Sequence, residues 1–294
     1  MKLLHIGLGK CGSTFLQKEI FPEIEKKINI NFIRFYNNDF FNIKKKEIMY
    51  GEFEKSKNIE RLLPNNFIIS NEGLFSRLWE FSRIQKNFQY IKDNFSYDTV
   101  ILIIIRNPYD LLNSIYCHSV QNMRIVKPEN FFYVDEKETK IRVKDKFNLY
   151  NFDYTKLITL YKSYFKKVVV VKYENLQNLQ FLKDIFNLDN EFINDLKKKK
   201  DIFHNKTISK SGINFILFLN NFFDVKKSQI LIRKFIKPTD NRIMNIKNKI
   251  LFQFLLREFF QNKFDKFLPY SKYKIKKKYI PIDIDSEIKK YYLL

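Results

Sequence analysis

Alanine is absent from this 294-residue chain, and glycine and cysteine are scarce, at six and two residues. Two cysteines, Cys11 and Cys117, cannot build a disulfide scaffold, and neither lies in a C-x-x-C metal-ligand spacing. They read as free thiols of a reducing compartment. Long apolar runs are also missing. The longest, 100–105 and 213–223, fall short of the roughly 20 residues that cross a bilayer. The N-terminal MKLLHIGLGK lacks the apolar core of a signal peptide. Together these absences predict a cytoplasmic protein with no transmembrane segment. No internal repeat is visible. The length suits one α/β domain over 1–294, with 225–294 as a helical C-terminal extension of unassigned role.

Acidic residues are few: 32 against 54 basic, a formal charge of +22. Such a balance points to nucleic acid, an anionic membrane or an acidic substrate. The chain is crowded with Lys, Asn, Ile, Phe and Tyr, residues with AT-rich codons, so part of the lysine excess reflects composition. The charge supports an anionic ligand without identifying it, and it leaves peripheral membrane contact open. No helix-turn-helix, zinc-finger or aromatic RNA-binding signature is present, so no nucleic acid is expected as partner.

Scarcity makes the remaining glycines informative. Gly7, Gly9 and Gly12 fall within six residues, and Gly73 follows Glu72. Glycine is placed where the backbone needs positive φ or close approach. The surrounding pattern alternates short apolar runs with amphipathic stretches, which predicts βαβ units and a parallel sheet. Strands are expected at 2–7, 30–36, 67–70, 99–105 and 167–173, the last two buried. Helices are expected at 13–27, 80–94, 108–123, 153–165, 178–187, 190–199, 213–223 and 246–262. Residues 125–147 read as a polar loop facing substrate, and the run Lys197–Lys200 as a solvated helix end. The tail 270–294 carries no assignment.

The first strand runs into G-L-G-K-C-G-S-T (7–14) and then a helix. Strand, glycine-rich loop and helix make a phosphate cradle, because loop amides and the helix N-terminus both favour an anion. Lys10 adds charge, and Ser13 and Thr14 add hydroxyl donors. The nucleotide-triphosphate loop G-x-x-x-x-G-K-[ST] is not matched, since Lys10 stands three residues before Ser13. The strand 99–105 ends in Arg106, where phosphate-loop ATPases and GTPases often place an aspartate that serves Mg²⁺. A guanidinium there neutralises phosphate without metal. Ser114 follows two helical turns later on the helix that Pro108 opens and Asn107 caps.

These segments resemble the PAPS-dependent sulfotransferases, where PAPS is 3′-phosphoadenosine 5′-phosphosulfate. H-I-G-L-G-K-C-G-S-T-F-L-Q (5–17) is similar to the family's 5′-phosphosulfate loop. R-N-P-Y-D-L-L-N-S (106–114) is similar to its 3′-phosphate motif. V-V-V-V-K-Y-E-N-L (168–176) resembles a strand followed by Tyr-Glu, and H-N-K-T-I-S-K-S-G (204–212) a downstream Asn-x-[Ser/Thr] segment of bacterial members. The resemblance spans about residues 2–220. It departs at Cys11, where many family loops carry Thr or Ser. It implies a phosphate-loop-like three-layer α/β sandwich with a central parallel sheet flanked by helices. It also implies PAPS as co-substrate without a required metal, and a hydroxyl-bearing acceptor such as a bacterial surface glycan or a small molecule. The implied PAPS-binding residues are Gly9, Lys10, Cys11, Gly12, Ser13, Thr14, Arg106, Ser114, Asn205 and Ser209.

Catalysis requires a cation for the leaving oxygen, Lys10, and a base for the acceptor's proton. Glu72, just past a strand end, and His118, four residues after Ser114, are the candidates. His5, inside the first strand, reads as structural. His204 reads either as lining the adenosine site or as an ordinary loop residue. A Mg-dependent nucleotide kinase or phosphotransferase and a basic nucleic-acid-binding protein are the alternative readings.

Overall fold

The computed structural model describes residues 1–33, 59–74, 81, 84–121, 127–136, 146–198, 208–222 and 270–294. Its centre is a five-stranded, all-parallel sheet flanked by helices, made of β1 (Lys2–Gly7), β2 (Asn31–Ile33), β3 (Phe67–Asn71), β4 (Val100–Ile105) and β7 (Val168–Lys172). The order across the sheet is β2-β3-β1-β4-β7. Every residue of β3 and β4 is buried. Such unbroken apolar runs are what a strand covered on both faces requires. In β7 only Val171 is buried. The expectation of a second buried strand is therefore corrected: β7 lies at the end of the sheet order, and its Val-rich run is only half covered.

In this order the chain leaves β1 toward β2 on one side and leaves β4 toward β7 on the other. Adjacent strands whose connections diverge create a crevice at their carboxyl ends, where open α/β sheets bind ligands. Gly7 pairs with Ile104, so the loop after β1 and Arg106 after β4 emerge side by side into that crevice.

The helical segment after β1 is not uniform. A turn Ser13–Phe15 leads into a π-helical turn Leu16–Ile20 and then the α-helix Phe21–Ile28. The helix Pro108–Gln121 begins as expected. Asn107 Oδ1 accepts from the amides of Tyr109 (3.1 Å) and Asp110 (3.3 Å), and Pro108 occupies the first helical position. Helices Ile84–Asn94, Tyr154–Lys162, Gln180–Phe186, Asn190–Lys198 and Lys210–Phe222 also match expectation to within a few residues at most ends. The helix expected at 246–262 lies outside the described residues. Among the described residues no helix is long and apolar enough to cross a membrane.

Two regions differ from the sequence expectation. The stretch read as a polar loop contains a helix Pro128–Phe131 and two short parallel strands, β5 (Phe132–Tyr133) and β6 (Phe147–Asn148). Phe131, Phe132 and Phe147 are buried together there, with ring centroids 4.8–6.4 Å apart. Three aromatics spread among charges gave no periodic signal. The tail packs against Pro108–Gln121. Asn113 donates to the Tyr273 carbonyl (2.8 Å) and accepts from the Ile275 amide (2.9 Å), and Tyr109 Oη donates to the Ile275 carbonyl. A final helix, Ile284–Leu293, opens on an Asp283 cap.

His5 lies in the middle of β1, fully buried. Its Nδ1 is 2.7 Å from Ser70 Oγ, which also accepts from Gln17 Nε2 (3.0 Å). Burial pushes the His5 pKa down to about 3. The unfolded chain binds the imidazole proton near 6.5, and the folded chain does so only near about 3. The stabilising contribution is therefore full above pH 6.5 and is lost as pH falls between those values, at about 1.4 kcal/mol per unit. Urea unfolding between pH 6.5 and 4.5 is expected to lose about 2–3 kcal/mol through this group. The same series on His5→Asn is expected to be flatter by that amount, and equal slopes would remove His5 from the acid response.

Candidate functional site

The crevice is built on the loop 8–12. The Cys11 amide donates to the Leu8 carbonyl (3.2 Å), and the amides of Phe15 and Leu16 donate to the Gly12 carbonyl (3.0 and 3.3 Å). Lys10 adopts φ 68 and Gly12 φ 86. The left-handed conformation costs a non-glycine residue about 1 kcal/mol, so neighbouring contacts must hold Lys10 there. Gly12 is constrained twice, by its φ and by its neighbours. A Cβ on it would lie 2.4 Å from Leu176 Cδ2 and 3.3 Å from Tyr173 Cε2. At Gly7 a Cβ would lie 2.6 Å from Ser13 Oγ and 3.2 Å from Glu72 Cγ. The scarce glycines thus mark where the loop, the start of the next helix and the end of β3 close on one another.

Several residues singled out from sequence converge here. Glu72 opens a short 3-10 turn Glu72–Leu74 directly after β3, and its stem lies against Gly7. Arg106 Nη1 donates to the Lys10 carbonyl at 3.0 Å, and its guanidinium lies 4.7 Å over the Tyr173 ring. Ser114 is buried on Pro108–Gln121, and Cys117 lies one turn further along. Burial pushes the Cys117 thiol up to about 12, against opposing pulls from a backbone hydrogen bond and, less, from the Lys10 ammonium. Burial likewise raises the Cys11 thiol far above its ordinary value, with Arg106 acting against the shift and Glu72 and Glu174 reinforcing it. Cys11 is closed off from solvent, and both free thiols are packing residues rather than nucleophiles.

Ser13 supplies the most direct pointer to a ligand. Its side chain is buried, and its Oγ makes no hydrogen bond among the described residues. A buried hydroxyl without a partner costs about 1–3 kcal/mol. Retained at the head of a helical segment, against Gly7 and three residues after Lys10, it suits an anion that completes its bonding. Gly9 is buried, while Thr14 is half-exposed on the same turn.

The other candidates are differently placed or engaged. His118 stands half-exposed one helical turn beyond Ser114. Ser209 is buried, and its Oγ accepts from the Gly212 amide (3.1 Å), so it caps the helix Lys210–Phe222, which packs on Pro108–Gln121. Asn205 and His204 lie outside the described residues. Among the described residues no group of three or more His, Cys, Asp or Glu could hold a metal ion.

Three aromatic residues that sequence patterns did not flag as site residues engage Arg106 and Glu174. Tyr173 carries the Arg106 guanidinium. Tyr154 Oη donates to the Arg106 carbonyl (2.8 Å), and Tyr291 of the last helix bonds Glu174. Only Tyr173 had a local signal, its place directly after a strand. Tyr154 and Tyr291 are one among 17 tyrosines each, and nothing in their spacing separates them.

Ser13→Ala separates a ligand role from a structural one. With no partner to lose, the unliganded variant should melt within about 2 °C of the wild type or higher. Its affinity for inorganic pyrophosphate should fall about tenfold by isothermal titration. A large drop in melting temperature would instead place the hydroxyl in the fold's own bonding.

No family model matches this chain, and no curated protein or solved structure matches it.

Proposed function

We propose that this protein is a PAPS-dependent sulfotransferase with a phosphate-loop-like fold. It moves a sulfuryl group from PAPS to a hydroxyl acceptor and releases 3′-phosphoadenosine 5′-phosphate. The observation that carries the reading is the buried Ser13 hydroxyl, without a partner among the described residues, beside the left-handed loop at the crevice where β1 and β4 diverge. The resemblance of 5–17 and 106–114 to the family's two nucleotide motifs supports it. So does the cation at the end of β4: Arg106 stands where a kinase would place a carboxylate for Mg²⁺.

On this reading the loop amides, Ser13 and Thr14 hold the 5′-phosphosulfate, and Arg106 with Ser114 holds the 3′-phosphate by charge-assisted hydrogen bonds. The Lys10 ammonium stabilises negative charge on the oxygen that bridges phosphorus and sulfur as the S–O bond breaks. The acceptor oxygen forms the new S–O bond in line with the leaving oxygen, and its proton passes to a base. Glu72 is the better-placed base, because its stem lies against Gly7, where the anion loop begins. His118 is the alternative.

Three outcomes are expected in assays of sulfuryl transfer from PAPS to a panel of hydroxyl acceptors. Turnover persists when divalent metal is chelated; a strict Mg²⁺ requirement would favour the kinase reading. Lys10→Ala lowers kcat by about 10²–10³ with a smaller change in KM for PAPS; near-wild-type turnover would remove Lys10 from the chemistry. Glu72→Gln lowers kcat by about 10²–10⁴ with nucleotide affinity kept. A normal Glu72→Gln beside an inactive His118→Ala would move the base to His118.

Arg106→Ala is expected to shrink the enzyme's preference for PAPS over adenosine 5′-phosphosulfate, because only the former carries the 3′-phosphate. The ratio of kcat/KM for the two donors measures it. Equal losses for both would assign Arg106 to the loop alone.

A further inference from the structure

The C-terminal helix Ile284–Leu293 lies far along the chain from the loop 8–12, yet side-chain contacts connect the two. Tyr291 is buried, and its hydroxyl donates to the Glu174 carboxylate. Glu174 follows Tyr173, whose ring lies under the Arg106 guanidinium and against Gly12. Arg106 in turn holds the Lys10 carbonyl. A second route runs through Tyr154, which packs on Tyr291 with ring centroids 6.3 Å apart and donates to the Arg106 carbonyl. Both ends of Arg106 are thereby tied to the last helix.

We propose that Tyr291 is a positioning residue for the anion loop: its hydroxyl holds the Glu174 carboxylate away from Arg106, leaving the guanidinium on the Lys10 carbonyl and available to an anion. Packing alone requires only the ring, and phenylalanine would supply it. The hydroxyl is used on a carboxylate that directly follows Tyr173, the residue whose ring carries the Arg106 guanidinium. Released from Tyr291, the carboxylate turns to the Arg106 guanidinium and draws it off the loop. Lys10 then loses the bond that supports its left-handed backbone. The proposal rests on the sulfotransferase reading for the identity of the ligand and for nothing else.

The test uses the full chain and two variants, Tyr291→Phe and Tyr291→Phe/Glu174→Gln. In the double variant a neutral amide replaces the competing carboxylate. Amide hydrogen exchange is followed without ligand at Cys11, Phe15 and Leu16, whose backbone bonds define the loop, and at β4 as an internal reference. Tyr291→Phe is expected to speed loop exchange about fivefold or more with β4 unchanged, and the double variant to restore it. Affinity for 3′-phosphoadenosine 5′-phosphate, by isothermal titration, should fall and recover in step. Unchanged loop exchange in Tyr291→Phe overturns the proposal, as does an equal acceleration in β4, which would mean general destabilisation. Failure of the double variant to restore the loop overturns the competition by Glu174. If the loop responds as expected but no form of the protein, wild type included, binds the nucleotide, the sulfotransferase reading fails and the positioning role stands.

Discussion

The parallel pairing of β1 with β4 is the constraint on which the rest of the structure depends. It sets Gly7 opposite Ile104, so two segments remote in sequence end at the same edge of the sheet. The next residues on one side form a loop whose carbonyls need donors. The next residue on the other side is Arg106. The 3.0 Å bond between Arg106 and the Lys10 carbonyl follows from that register. A one-residue slip would turn every side chain of β1 to the opposite face and break the arrangement outright. Since β1 and β4 are covered on both faces by apolar packing, the register is held by burial along the whole strand. The polar residues of the crevice are thereby spared that task, and the loop can keep a left-handed lysine and a buried hydroxyl without a partner among the described residues.

How much of this was legible in the sequence depends on how local each signal was. The strands were readable because β-branched runs such as 100–105 are bounded by turn chemistry. The loop was readable because glycine is so rare that three in six residues must mean backbone constraint. Arg106 could be placed at a strand end by counting. What Arg106 does could not be read that way. The sequence suggested a guanidinium facing an anion, and the structure adds that the same fork braces the loop and rests on Tyr173. That second role depends on three segments meeting in space, and no spacing within one segment encodes it.

The tail is the clearest case of a silent region. Residues 270–294 carry alternating lysines and tyrosines without helical or strand period over the first part. The segment is positioned by Asn113, which offers its amide nitrogen to one tail carbonyl and its amide oxygen to a tail amide. A single asparagine on a helix surface is ordinarily solvated, and its sequence context gave no reason to expect otherwise. The same holds for the buried phenylalanines at 131, 132 and 147, which charges and turn residues surround in sequence. Pattern reading detects elements that bury a face by periodicity. It misses elements anchored by a few long-range polar contacts.

The π-helical turn Leu16–Ile20 has a consequence for the way this protein tolerates change in chain length. A turn with i→i+5 bonds holds one residue more than an α-turn, which rotates everything after it by about 100° about the helix axis. Gln17 lies within this turn and reaches Ser70, while Phe21 and Ile24 beyond it are buried. The turn already absorbs the extra residue, so loss of one residue between 16 and 20 would regularise the helix and leave its two flanks in their present phase. The same loss within Phe21–Ile28 has no such turn to absorb it and would rotate the residues that follow away from the core.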